Sequence, residues 1–251
     1  HYDIAVTMSR EFRRLNRAVE LTEAGHALAP GTSEGFEALN AAWRAAKRVG
    51  NTRVLSVTAG PAFTTKWLAP RMYHFAQAHP AIELRFTASL RMMDFDRDGI
   101  DVAVRYGFGP DRGLYSENLM DEVFVPLMAP PLAARFPTPE SLRSATLFAD
   151  DSVSFMPKPP DWPAWFRANG LESPTPSARF TQADHALDAA LAGTGVVLGR
   201  SSLALEPLSS GTLVAPYDIV LTSDARFRFV CRRGADAQPS VAAFRSWLLS
   251  E

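Results

Sequence analysis

Short apolar runs alternating with helical stretches constrain this chain more than any other feature. Residues 54–57 (Val-Leu-Ser-Val), 82–87, 102–104, 123–127, 195–198 and 227–231 each read as a strand. Between them, residues 65–78 carry Trp67, Leu68, Met72 and Phe75 on one helical face, 92–97 read as a short helix, and 185–192 and 201–208 read as two more. A helix over 241–249, with Phe244, Trp247 and Leu248 apolar, closes the pattern. Strands too apolar to face water on either side, spaced by helices, predict a parallel sheet with covered faces. The order fits two α/β lobes joined by crossing strands better than one continuous sheet. Pro130-Pro131 are expected to break the chain, and residues 137–176, with eight prolines, form its most loop-rich stretch around a helix at 162–169.

The 251 residues are 47% hydrophobic and 21% charged, an ordinary globular balance. With 26 basic against 27 acidic side chains, the net charge of −1 argues against holding nucleic acid through overall charge. A single cysteine, Cys231, excludes an intramolecular disulfide and a Cys-rich zinc site, and is expected in a buried strand. No apolar run approaches the ~20 residues that span a bilayer. The chain reads as a soluble protein of a reducing, cytoplasmic compartment. Residues 1–11 lack periodicity and are expected to be a tag or otherwise non-native.

Thr22 is a good N-cap, with Glu23 in the first helical turn. Ala29, Thr32, Phe36, Leu39, Trp43 and Ala46 then recur at alternating three- and four-residue steps, the spacing of a coiled-coil seam. Pro30-Gly31 are expected to kink this helix, and Gly50-Asn51 to end it. Phe36, Leu39 and Trp43 are its candidate dimerisation residues.

Several catalytic patterns fail on inspection. Gly31-Thr32-Ser33-Glu34-Gly35 matches a nucleophile elbow, but a helical segment precedes it where a strand is required. Asp94-Phe95-Asp96-Arg97-Asp98-Gly99 imitates a calcium loop whose twelfth position is Arg105, a cation. Residues 107–113 are glycine-rich without nucleotide-binding spacing and read as a turn. Asp150-Asp151 read as solvated neighbours, and the five histidines show no metal-ligand pair. No catalytic residue, metal site or cofactor is expected.

What does assemble is a family pattern. Residues 21–25 (Leu-Thr-Glu-Ala-Gly) followed by a long helix resemble the linker entry of LysR-type transcriptional regulators. Residues 67–72 with 79–84, residues 98–107 (Asp-Gly-Ile-Asp-Val-Ala-Val-Arg-Tyr-Gly), and residues 192–200 (Ala-Gly-Thr-Gly-Val-Val-Leu-Gly-Arg) resemble elements of that family's effector domain, in the right order. Arg105-Tyr106-Gly107 and Asp161-Trp162-Pro163-Ala164-Trp165 look most like the glycine-cleavage and β-lactamase-gene regulator branch.

The resemblance implies a two-lobed α/β fold like type 2 periplasmic binding proteins, preceded by a linker helix. Residues 12–50 would hold the end of a wing and the linker, with the rest of a winged helix-turn-helix missing. Lobe I would take 51–125 and 220–251, and lobe II 126–219. Ligand would lie between the lobes, at Thr58, Gly60, Ala62, Phe63 and Thr64 after the first strand, with Asp94, Arg105, Tyr106, Gln182, Ala183 and Phe227 opposite. Open α/β sheets do bind ligands at the carboxyl ends of their strands. Many relatives carry a hydroxyl where Ala62 stands, which leaves Thr64 to supply it. Arg105 has a structural alternative, an ion pair with Asp94 or Asp101. Arg13, Arg14 and Arg17, beside Arg10, would contact DNA phosphates in the whole regulator, without sequence-specific binding by this segment.

The expected ligand is a small carboxylate or zwitterion, since Asp94 at the cleft would favour an amine. The function implied is a ligand-sensing regulator, dimeric or tetrameric, without enzymatic activity. A two-lobed solute receptor for transport or sensing is the alternative, and an enzyme with unseen catalytic residues the third reading.

Overall fold

The computed structural model describes residues 12–15, 18–48 and 53–251. They divide into two units, one of residues 1–52 with 94–99 and one of 53–93 with 100–251.

In the first unit, β1 (Phe12–Leu15) and β2 (Ala18–Leu21) form an antiparallel hairpin in which Arg13 opposes Glu20 and Arg14 opposes Val19. Arg10 and Arg17 lie outside the described residues. Helix α1 (Glu23–Arg48) follows, and the Thr22 hydroxyl caps it by accepting from the Gly25 N–H at 3.2 Å. Pro30 sits inside the helix without ending it. The predicted stop at Gly50-Asn51 lies outside the described residues. Phe36, Leu39 and Trp43 are all exposed on α1. Residues 95–99 form turns, not the predicted helix over 92–97. The reason is local: Asp94 Oδ1 accepts from the backbone N–H of Asp96 at 2.9 Å and of Arg97 at 2.7 Å, an aspartate turn that competes with helical bonding.

The second unit holds two five-stranded sheets. The first, lobe I, contains β3 (Val54–Ala59), β4 (Glu83–Ala88), β5 (Val102–Gly107), β6 (Leu114–Met120) and β12 (Arg226–Arg232), in the order β4-β3-β5-β12-β6. The second, lobe II, contains β7 (Val123–Leu127), β8 (Leu147–Asp150), β9 (Ala178–Phe180), β10 (Val196–Arg200) and β11 (Leu221–Thr222), in the order β11-β7-β10-β8-β9. Neither sheet is wholly parallel: β12 runs antiparallel to β5 and β6, and β7 antiparallel to β10 and β11. The chain crosses between sheets at 121–122 and again at 223–225. The crossings therefore lie a few residues from the expected boundaries at 125 and 220, because β7 and β11 pair wholly within the second sheet.

Helices cover both sheets. α2 (61–78) begins four residues earlier than predicted, with Pro61 in its first turn and a widened π turn at Thr64–Leu68. α3 (Pro130–Arg135) starts on the proline pair expected to break the chain, since proline is favoured where a helix N–H needs no partner. α4 (Trp162–Ala168) is capped by Asp161, whose carboxylate accepts from the Ala164 N–H at 2.9 Å. Trp162 and Trp165 are buried and donate to the Phe148 and Ile219 carbonyls. α5 (Ala183–Leu191), α6 (Leu205–Ser209) and α7 (Pro239–Ser250) complete the set.

The Gly-Thr-Gly of residues 193–195 has a physical reason. Gly193 ends α5 at φ +70°, and a Cβ on Gly195 would lie 2.6 Å from the Thr146 carbonyl oxygen. Cys231 is buried on β12, as its apolar neighbours predicted, and burial pushes its thiol up to about 11. No helix among the described residues is long and apolar enough to cross a membrane.

Candidate functional site

A cavity of about 550 Å³ opens between the lobes of the second unit, at the carboxyl ends of β3 and β5. Lobe I contributes residues 58–63 from the β3–α2 turn, 89–93 from the segment after β4, and 103–108 on β5. The returning β12 adds Phe227 and Arg228. Lobe II contributes Ser152 and Phe155 from the loop after β8, Gln182 and Ala183 at the start of α5, and Arg200 at the end of β10. Lys66 on α2 also reaches across to pair with Asp188 on α5, tying the lobes together.

Nine of the eleven sequence-predicted ligand residues converge here: Thr58, Gly60, Ala62, Phe63, Arg105, Tyr106, Gln182, Ala183 and Phe227. Phe63 stacks on Trp67 at 4.9 Å and lies tilted against Phe227 at 4.5 Å, and Tyr106 lies 4.8 Å from Phe227, so one aromatic wall runs from α2 across the sheet. The buried Thr58 hydroxyl donates to the Thr87 carbonyl at 2.9 Å. Gln182 is the N-cap of α5 without a side-chain cap bond.

Two predicted residues fall outside the lining. The Thr64 hydroxyl bonds back one turn to the Gly60 carbonyl at 3.0 Å, so it does not replace a hydroxyl at Ala62. Asp94 belongs to the first unit, where its Oδ1 accepts from the backbone N–H groups of its own turn.

For Arg105 the structure shows an ion pair with Asp111. Its Nη1 donates to Asp111 Oδ1 at 2.9 Å and its Nη2 to the Met93 carbonyl at 3.1 Å. The other oxygen of Asp111 lies 3.2 Å from Arg228 Nε and accepts from the Ser116 hydroxyl at 3.0 Å. One carboxylate thus bridges two guanidiniums on neighbouring strands. The glycine-rich segment 107–113 is the turn that carries it. Gly109 packs closely there: a Cβ would stand 3.2 Å from Arg228 Nη1, and that guanidinium would have to give by a few tenths of an ångström.

Sequence reasoning missed Asp111, Arg228 and Arg200. An arginine between Phe227 and Phe229 on an apolar strand was the available signal for Arg228, because a buried charge must find a partner. Arg200 is buried, donates to the Ser152 hydroxyl at 2.9 Å and lies 3.4 Å from Asp150. Its guanidinium stacks 4.9 Å over the Tyr106 ring, and its Nε has no hydrogen-bond acceptor among the described residues. Burial raises the Tyr106 phenol, whose oxygen is 3.4 Å from the Ser223 hydroxyl in the second crossing. The lining holds four arginines (Arg91, Arg105, Arg200, Arg228) against one acid, Asp111. No cluster of His, Cys, Asp or Glu suited to a metal occurs among the described residues.

Two sheets, two crossings and a cleft at the strand ends define a two-lobed α/β ligand-binding domain. The family model "LysR substrate binding domain" matches residues 48–251, and the chain belongs to the LysR family. It is 34% identical over 245 residues to the glycine cleavage system transcriptional activator of Escherichia coli (strain K12), covering 96% of this chain and 78% of that protein. It is 30% identical over 244 residues to the transcriptional activator AmpR of Rhodobacter capsulatus, covering 96% and 81%. Among solved structures, the effector domain of AmpR from Pseudomonas aeruginosa matches with a TM-score of 0.65 and 29% identity, over 78% of this chain and 94% of that one. The LysR-type regulator CrgA of Neisseria meningitidis, at 21% identity, shares the fold with a TM-score of 0.63 over 99% of this chain and 86% of that one. The glycine cleavage activator, and the carbapenem-hydrolyzing β-lactamase transcriptional activator of Serratia marcescens at 26% identity over 242 residues, carry the functions of the branch named from sequence.

Proposed function

We propose that this chain is the ligand-sensing domain and linker of a LysR-type transcription regulator, acting in the cytoplasm without catalysing a reaction. The cleft carries this reading: it has the volume of a small-molecule site, an aromatic wall and an arginine-rich lining. A small organic anion bound there would favour one lobe arrangement through its differential contacts, and α1 would pass that bias to DNA-reading helices of the whole regulator. Arg13 and Arg14 would add phosphate contacts that position without specifying sequence. Phe36, Leu39 and Trp43 support pairing of two copies along α1.

Thermal-shift screening of amino acids, cell-wall peptides and simple carboxylates tests the ligand class. A true ligand at 100 times its Kd stabilises the fold by about 2.7 kcal/mol. Stabilisation by neutral sugars or cations alone refutes the cleft chemistry. Sedimentation showing a strict monomer at micromolar concentration refutes the pairing.

A further inference from the structure

Several polar side chains in the cleft walls are bonded to other side chains or to backbone carbonyls, whereas its mouth is apolar and open to water. Leu90 (66% exposed) and Met92 (70%) from lobe I, Phe108 (46%) at the end of β5 and Phe155 (54%) from lobe II are all lining residues. Phe108 and Phe155 meet across the mouth, edge to face, with ring centroids 6.1 Å apart. Exposed apolar groups gathered on one concavity mark a surface that something apolar covers. Deeper in, Thr58 is bonded to the Thr87 carbonyl, Tyr106 lies beside Ser223, and Asp111 bridges Arg105 and Arg228. A wholly hydrophilic ligand must compete with these bonds, and one as small as glycine fills little of 550 Å³.

We propose that Phe108 and Phe155, with Leu90 and Met92, form an interlobe clasp that selects effectors in which a hydrophobic body is joined to a carboxylate head, and discriminates against small amino acids. Arg200 receives the head: it lines the cleft, is 7% exposed, and its Nε lacks an acceptor among the described residues. The one acid of the lining, Asp111, already bridges Arg105 and Arg228, so it does not call for an amine on the ligand. The clasp joins one ring from each lobe, so covering it also favours the closed arrangement. This inference rests on the reading of the cleft as the effector site.

The test is calorimetric titration of the whole chain with linear carboxylates from butanoate to octanoate, the matched alcohols, and glycine. Affinity is expected to rise roughly fourfold per added methylene, with each carboxylate tighter than its alcohol. In the double variant Phe108→Ala/Phe155→Ala the length dependence flattens, while the melting temperature stays near that of the parent because both rings are half exposed. Arg200→Lys abolishes the preference for carboxylate over alcohol less completely than Arg200→Ala. Glycine binding as tightly as octanoate, unchanged length dependence in the double variant, or no carboxylate binding at millimolar concentration each overturns the clasp. Ala62→Trp, which puts a bulky ring into the cleft lining, separates the two levels. Glycine binding lost in that variant sinks the clasp and spares the cleft; octanoate binding unaffected by it sinks the cleft reading itself.

Discussion

Removing the Asp111 carboxylate should be among the most costly single changes at the cleft. The side chain is 9% exposed and stands between Arg105, 16% exposed, and Arg228, 8% exposed, on neighbouring strands β5 and β12. Asp111→Ala leaves two guanidiniums facing each other with their shared anion gone, and deleting one partner of a buried ion pair costs about 3–5 kcal/mol. For a domain of this size each kcal/mol moves Tm by about 2–4 °C, so the loss corresponds to roughly 6–20 °C. Arg105→Ala is the control. It leaves Asp111 paired with Arg228 and bonded by Ser116, and costs about 1.5–3 kcal/mol for a charged hydrogen bond. The double variant should lose less than the sum of the two singles, because deleting Arg105 also removes part of the repulsion. Thermal and urea unfolding followed by circular dichroism read all three. An Asp111→Ala midpoint within about 2 °C of the parent, or strict additivity in the cycle, would falsify the bridging role.

Gly195→Ala should cost about 1–3 kcal/mol, since the new methyl meets a backbone carbonyl that cannot step aside; urea unfolding checks it, and a neutral result would mean that β8 and β10 separate easily. Cys231, with its thiol pushed up to about 11 by burial, should not react with a thiol reagent at pH 8 until the protein unfolds, and prompt labelling of the native chain contradicts the buried strand. The Glu117 carboxyl is held below the usual carboxylate range, first by the hydrogen-bonded Arg245 guanidinium. A depressed folded value stabilises above the unfolded pKa, and that stability is lost as pH falls through the folded one. Glu117→Gln should therefore destabilise near neutrality and converge with the parent on acidification; a constant gap across pH counts against the ion pair.

The apolar strands β3, β5, β7, β10 and β12 were legible because nothing but burial explains runs such as Val-Phe-Val-Pro-Leu. Strand β6 was not. Leu-Tyr-Ser-Glu-Asn-Leu-Met carries polar side chains on a half-buried edge, where pairing to β12 rather than composition makes it a strand. The turn at Asp94 was lost for the opposite reason, since its side chain overrides a helical pattern through bonds two and three residues ahead. Most of the cleft was reachable from strand ends and family motifs. Arg105 was found but given other partners than Asp111, because a carboxylate six residues on meets it only after the chain has turned through Gly109 and Pro110. Arg200 and Phe155 come from separate segments of lobe II, and only the packing of two sheets brings them to the same opening as Phe108.

The position of β12 also governs the order in which the chain can become itself on the ribosome. It lies between β5 and β6, yet leaves the ribosome only after the entire second sheet has been made. At about 5–20 residues per second, the hundred or so residues from β7 to β11 take roughly 5–20 s to synthesise. During that interval β6 has no neighbour, whereas the intervening lobe, whose first and last strands pair as Val123 with Thr222, has both its ends made before β12 is. The inserted lobe can thus mature first, and the host lobe waits for a strand delivered from beyond it.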